Sequence, residues 1–145
     1  MGSSYTCLGN YFYKFNQNKE AQINFETALK YYIQADDEKG IGTGYGNLAI
    51  IYEDTGNYTK ALEYYYKSLK IAEKRNDIEG QGLIFSYLGV MLQNQKKFKE
   101  SLECNFKAIK FLDSVNNQIS KAFALNCVGN TYHELKQCLC KAVLG

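Results

Sequence analysis

The residues of this chain that could do chemistry fall in two places. Cys127, His133, Cys138 and Cys140 lie within fourteen residues of one another, the side-chain types that hold zinc. Gly40-x-Gly42-x-Gly44-x-Gly46 has the look of a loop that lets backbone amides approach a phosphate. Neither stands up as chemistry. Cys-x-Cys is not the two- to four-residue ligand spacing of a zinc site, and there is one histidine in the chain. The glycine run lacks the G-x-G-x-x-G register and any Gly-Lys-Ser, and it follows a helical pattern rather than a strand. Tight helix contacts, or a soft helix start, account for it. No Ser or Cys nucleophile can be given a base, since His133 is the only candidate. The expectation is therefore no catalytic residue, no metal and no cofactor.

Composition narrows the partner. Net charge is +2, with both signs mixed along 145 residues. Lysines number sixteen against a single arginine, Arg75. Arginine dominates bidentate contacts to phosphates and base edges, so its near absence argues against nucleic acid. The lysine-rich stretch Lys96, Lys97, Lys99, Lys107 and Lys110 is broken by Glu100 and Glu103 and reads as a solvated helix face. No apolar run is long enough to span a bilayer, so no membrane partner is expected. The five cysteines form an odd set without framework spacing, read as free, mostly buried thiols of a cytoplasmic protein.

What positions these residues is a repeat. Tyr5-x-x-Leu8-Gly9, Tyr45-x-x-Leu48-Ala49, Phe85-x-x-Leu88-Gly89 and Leu125-x-x-Val128-Gly129 recur every forty residues. Each is followed, three residues on, by Phe12, Tyr52, Leu92 or Tyr132. A second block recurs at the same period: Ala21-x3-Phe25-x2-Ala28, Ala61-x3-Tyr65-x2-Ser68, Ser101-x3-Asn105-x2-Ala108. Both spacings put their members on one face of a helix, so each unit is two amphipathic helices. Asp36-Asp37, Asn76-Asp77 and Asn116-Asn117 separate the units and supply N-caps. The pattern predicts an all-α chain of about seven helices, at about 2–15, 18–35, 38–54, 58–75, 78–94, 98–115 and 118–136. Units run about 1–37, 38–77, 78–117 and an incomplete 118–145, all in one domain. Proline is absent, so nothing forces a kink.

These residues resemble the tetratricopeptide repeat family, whose motif of aromatic, Leu-Gly, Tyr, Ala, aromatic, Ala is met in order from Tyr5 to Ala28. The second unit departs at Ala49 and Ser68, the third at Leu92, Ser101 and Asn105, and the fourth stops halfway. A period of forty and the missing proline are similar to the long-helix subtype, found in cell-polarity and spindle-orientation adaptors and in the sensor regions of bacterial histidine kinases. The resemblance implies an α-solenoid, a right-handed superhelical array of antiparallel helix pairs. Its function would be that of a scaffold binding a peptide or helical segment of a partner protein in a concave groove. The alternative is a sensory or regulatory portion of a larger signalling protein such as a histidine kinase.

In such an array the first helix of each unit lines the groove. Carried onto this sequence, the groove residues are Asn10, Tyr13, Asn47, Glu53, Tyr87, Asn94, Asn126, Asn130 and His133. An asparagine amide both donates and accepts, so it can pair with the backbone of a bound segment. Chaperone-binding members clamp a terminal carboxylate with Lys and Asn, but the matching positions here are Thr6, Gly46, Ser86 and Asn126, with no Lys. Glu53, Asp54 and Glu134 point instead to a partner of basic character. After Lys136 the pattern dissolves into Cys-Leu-Cys-Lys-Ala-Val-Leu-Gly, without a polar capping helix. The chain reads as a piece of a longer array whose uncapped end invites self-association.

Overall fold

The computed structural model describes residues 1–144. Seven helices follow one another: α1 (Gly2–Lys14), α2 (Asn18–Gln34), α3 (Glu38–Asp54), α4 (Tyr58–Lys74), α5 (Ile78–Asn94), α6 (Phe98–Ser114) and α7 (Gln118–Leu144). The chain divides into two compact units, Met1–Asn76 and Asp77–Gly145. In the first, α1 packs on α2, α2 on α3 and α3 on α4. In the second, α5 packs on α6 and α6 on α7.

The helices from α2 to α6 are each 17 residues long, and three joining residues complete a half-unit. The joints repeat as strictly as the helices. Asn16, Asp36, Gly56, Asn76, Lys96 and Asn116 all have positive φ, between 51° and 77°. Each is the left-handed residue that ends a helix. Its amide bonds the carbonyl three back, as Asn16 N to Tyr13 O at 2.9 Å. At the joints of Asn16, Asp36, Gly56, Lys96 and Asn116 the next amide bonds the carbonyl five back, as Gln17 N to Phe12 O at 3.0 Å. That next residue also opens the following helix. Asp37 accepts from Gly40 N at 3.0 Å, Asp77 from Gly80 N at 2.8 Å and Asn117 from Ser120 N at 3.0 Å. The unit-joining residues picked from sequence thus do the capping. Asn57 does the same for α4, accepting from Lys60 N at 3.2 Å.

Lys96 is the exception to the chemistry, with φ 60° where the other joints use Asn, Asp or Gly. A left-handed side chain costs about 1–2 kcal/mol, less for Asn, whose short amide bonds locally. Lys96→Asn is therefore expected to raise the stability of the second unit by about 0.5–1 kcal/mol, read as a higher denaturation midpoint at unchanged slope.

Close approach of the helices explains the glycines. A Cβ on Gly9 would lie 2.4 Å from the Phe25 ring, and one on Gly89 2.4 Å from the Asn105 amide. The small residue of the first block and the large residue of the second are one contact. The glycine run works the same way in two directions. Gly40 and Gly44 face Tyr32 and Leu29 of α2, whereas Gly42 and Gly46 face Ile71 and Ser68 of α4. Each glycine inside a helix costs about 1 kcal/mol in propensity, which packing α3 tightly between two neighbours offsets. Ser68 Oγ adds a hydrogen bond to the Gly42 carbonyl at 2.8 Å.

The core of the first unit is Ala21, Phe25, Leu48 and Ile51, with Phe12, Leu29 and Tyr52 packed against it. Tyr65 is 1% exposed and donates to Glu53 Oε2 at 2.8 Å. In the second unit Ala108, Leu112 and Ala124 form the core, with Phe85 stacked on Phe111 at 5.8 Å. Beside them lies a polar island. Ser101 Oγ donates to the Gly89 carbonyl at 2.7 Å, and Thr131 Oγ1 sits 3.0 Å from Gln93 Oε1. Asn105, in the place of Phe25 and Tyr65, is fully buried, and its Oδ1 has no hydrogen-bond partner.

Two sequence expectations need correction. Helix α7 does not end near residue 136 but runs to Leu144. Lys141 occupies the position at which Ala21, Ala61 and Ser101 are fully buried. A lysine does not suit a fully buried slot of that kind, in keeping with α7 running on past it. Tyr132, which follows Gly129 as Phe12 follows Gly9, is 52% exposed. The cysteines are free but not mostly buried: Cys7, Cys138 and Cys140 are exposed, Cys104 is half-buried and Cys127 buried. Burial raises the pKa of the Cys104 and Cys127 thiols, which keeps them protonated and unreactive.

Candidate functional site

The first helices of successive pairs touch each other within each unit, α1 with α3 and α5 with α7. The residues drawn from sequence therefore sit on two walls, each belonging to one unit.

On the first wall Asn10 is exposed on α1 and Asn47 is half-buried on α3. Their amides lie on a surface of modest polarity, with Ile50 half-buried beside them in sequence. Tyr13 packs against the core of Ala21, Phe25, Leu48 and Ile51. Glu53 is half-buried and its carboxylate accepts a hydrogen bond from the Tyr65 hydroxyl. That charge is committed to holding a core tyrosine, so it contributes less to attracting a basic partner than its position suggested. Tyr64 packs on the same core and meets Tyr45 at 5.8 Å and Tyr52 at 5.3 Å. Its pKa is raised, first by desolvation and then by Tyr52. Lys67 stands 4.8 Å from the Tyr64 ring centre and 5.8 Å from that of Tyr45. These aromatics are joined by structural contacts that the sequence pattern alone did not show.

On the second wall Tyr87 is 38% exposed. With Leu83 and Ser86 of α5 and Ile119, Ser120 and Phe123 of α7 it lines an apolar depression of about 230 Å³. Ile119 and Phe123 were missed in the sequence reading. The signal that could have found them is their place in the first turns of α7, apolar where the matching residues Lys39 and Thr43 of α3 are polar. Asn94 is exposed at the end of α5, and Asn126 and Asn130 are exposed on α7. His133 is exposed one turn further on, its Nε2 2.8 Å from Gln137 Nε2. Two neighbouring residues of the carried-over set do not face solvent: Ser86 is 1% exposed and bonds the Gly82 carbonyl, and Cys127 is 5% exposed. Both fill the narrow contact between helices.

Among the described residues no group of three or more His, Cys, Asp or Glu could hold a metal. Cys138 and Cys140 project from the free end of α7, away from the buried Cys127. No helix is long and apolar enough to cross a membrane. Among the described residues the arrangement offers amides, aromatic edges and an apolar depression, groups that can hold a polypeptide segment.

Solved structures share this fold. The chain is similar to the crystal structure of BtubC (BKLC) from P. vanneervenii, with 16% identity and a TM-score of 0.79 over 91% of this chain and 55% of that one. It is also similar to the TPR2AB-domain:pHSP90 complex of yeast Sti1, with 21% identity and a TM-score of 0.77 over 98% of this chain and 50% of that one. The chain thus spans about half the length of each. No curated protein matches it. The family model for the tetratricopeptide repeat matches residues 1–74, half of the sequence, and the chain belongs to the tetratricopeptide repeat family.

Proposed function

We propose that this chain is a protein–protein interaction module of the long-helix kind, binding an extended or helical segment of a partner along the first helices of its units. Tetratricopeptide repeat domains in general bind proteins, and the solved Sti1 domain is a complex with pHSP90. The observation that carries the reading here is the depression at Tyr87. It is lined by Leu83, Ile119 and Phe123, and exposed asparagines 126 and 130 stand further along the same helix α7. An apolar side chain of the partner fills the depression, and the asparagine amides pair with its backbone. The subtype assignment is supported by 17-residue helices in place of shorter ones. A terminal-carboxylate clamp is disfavoured, because Thr6, Gly46, Ser86 and Asn126 stand at the clamp positions and none is a lysine.

Panning a phage-displayed random peptide library against the chain tests this. Enriched peptides are expected to share an apolar residue and to bind Tyr87→Ala about tenfold more weakly, and Asn126→Ala/Asn130→Ala by a similar factor. Peptides that bind all three proteins equally would place the partner surface elsewhere.

A further inference from the structure

In every complete helix pair the first helix is covered by a second running antiparallel to it: α1 by α2, α3 by α4, α5 by α6. On α7 that place is empty. A Cβ on Gly129 would meet nothing within 4 Å, whereas the matching Gly9 and Gly89 are closed off by Phe25 and Asn105. The helix extends ten residues beyond the 17 of its counterparts, and residues 136–143 are exposed throughout.

The bare face is patterned. Leu125, Tyr132 and Leu139 are spaced by seven, and so are Val128, Leu135 and Ala142, offset by three. This is the a/d seam of a two-helix coil. It persists through the free extension, where nothing in the chain accounts for it. Leu125, Tyr132 and Leu139 are 49%, 52% and 59% exposed. The face that α7 buries in its own unit, marked by Ala124, Cys127 and Thr131, borders the seam along the half-buried Val128 and Leu135.

We infer that this seam is an interface for a second copy of the chain, α7 pairing antiparallel with α7 of the other about a two-fold axis. The seam is self-complementary when reversed. Leu125 meets Ala142, Val128 meets Leu139 and Tyr132 meets Leu135 of the second copy, so every layer sets a larger side chain against a smaller or matching one. The symmetry then repeats each layer, giving six over about 26 Å of helix. No charged residue falls on the seam, and Lys136, which flanks it, lies near the partner's Gly129, whose missing side chain leaves room for the lysine stem. The free end of one α7 lies along Leu125–Gly129 of the other, antiparallel, where a second helix of the same unit would otherwise run. A parallel pair would set Tyr132 against Tyr132 and Ala142 against Ala142 and would crowd both bodies at one end.

Sedimentation of the full chain across the micromolar range tests this. The expected species is a dimer, twice the 16.5 kDa of the monomer, dissociating on dilution. Leu139→Lys, which lies beyond the residues that pack on the rest of the chain, should keep the helical circular dichroism and melting of the parent and weaken association at least about tenfold. Ile119→Lys, at an 87% exposed position on another face of α7, should leave the dimer intact. Nitroxide labels on Lys141→Cys, with Cys7, Cys138 and Cys140 replaced by Ser, should be separated by roughly 22 Å along the helix axis. A monomer at all concentrations, a dimer indifferent to Leu139→Lys, or labels side by side at about 10 Å would each overturn the proposal.

Discussion

Tyr65→Ala is expected to destabilise the first unit by about 3–5 kcal/mol, the cost of removing a fully buried aromatic and leaving a cavity. The side chain is 1% exposed in α4. It occupies the position that Phe25 fills in the first pair, where the ring leaves no room for a Cβ on Gly9. Ala49, the small residue matching Gly9, and Ala61 are both fully buried. Both are alanines, whose methyl groups are too short to fill the gap. Tyr65→Phe separates the two roles of the residue. It keeps the ring and removes only the bond to Glu53, so about 1.5 kcal/mol is expected, the usual worth of a hydrogen bond to a carboxylate. Urea denaturation followed by far-UV circular dichroism measures both. Equal losses for the two variants would mean that the hydroxyl, not the ring, holds the pair together.

Asn105→Leu is expected to act in the opposite direction, stabilising the second unit by about 1–3 kcal/mol. The two side chains have the same branching, so the substitution keeps the shape that fits against Gly89. What it removes is a fully buried amide whose Oδ1 has no partner. An unpaired buried acceptor costs about that much, and replacement by an apolar group of equal shape relieves it. The amide nitrogen does donate to the Ser101 carbonyl at 3.0 Å, but that oxygen also lies within helix α6. Asn105→Ala serves as the comparison, since it removes the same polar group but opens a cavity, and it should be less stable than Asn105→Leu. The measurement is again the denaturation midpoint. A destabilised Asn105→Leu would show that the amide is held by the polar island of Ser101, Thr131 and Gln93 rather than merely tolerated beside it.

Much of this molecule could be read before any coordinates. The contact of Gly9 with the Phe25 ring came only with the structure, but the forty-residue period predicted six of the seven helices to within a residue at either end. The reason is that both blocks act through local rules, apolar spacing within a helix and Asn or Asp at its joints. Asp37, Asp77 and Asn117 cap the helices that they precede because a short side-chain oxygen reaches an amide three residues on, a relation that is fixed within one turn. The joint at Lys96 falls between the helices read as 78–94 and 98–115, but its left-handed backbone could not be read there, because lysine carries no preference for that conformation.

The candidate site divides along the same line. Asn10, Asn94, Asn126, Asn130 and His133 are exposed on the first helices of their pairs. Tyr13, Glu53, Ser86 and Cys127 lie on the same helices but are occupied in packing or in holding Tyr65, because a periodic pattern assigns a side chain to a face and not to the neighbour it meets there. The depression beside Tyr87 depends on Ile119 and Phe123 coming within reach from another helix, a contact made across more than thirty residues of chain. The straight run of α7 was decided in the same way. Sequence by itself determined the all-α repeat, its period and its capped joints, through interactions between residues a few positions apart. Only the tertiary structure decided which faces are closed and which stay open: Lys141 does not suit a slot that is lined by another helix, and that slot exists only once the helices have packed.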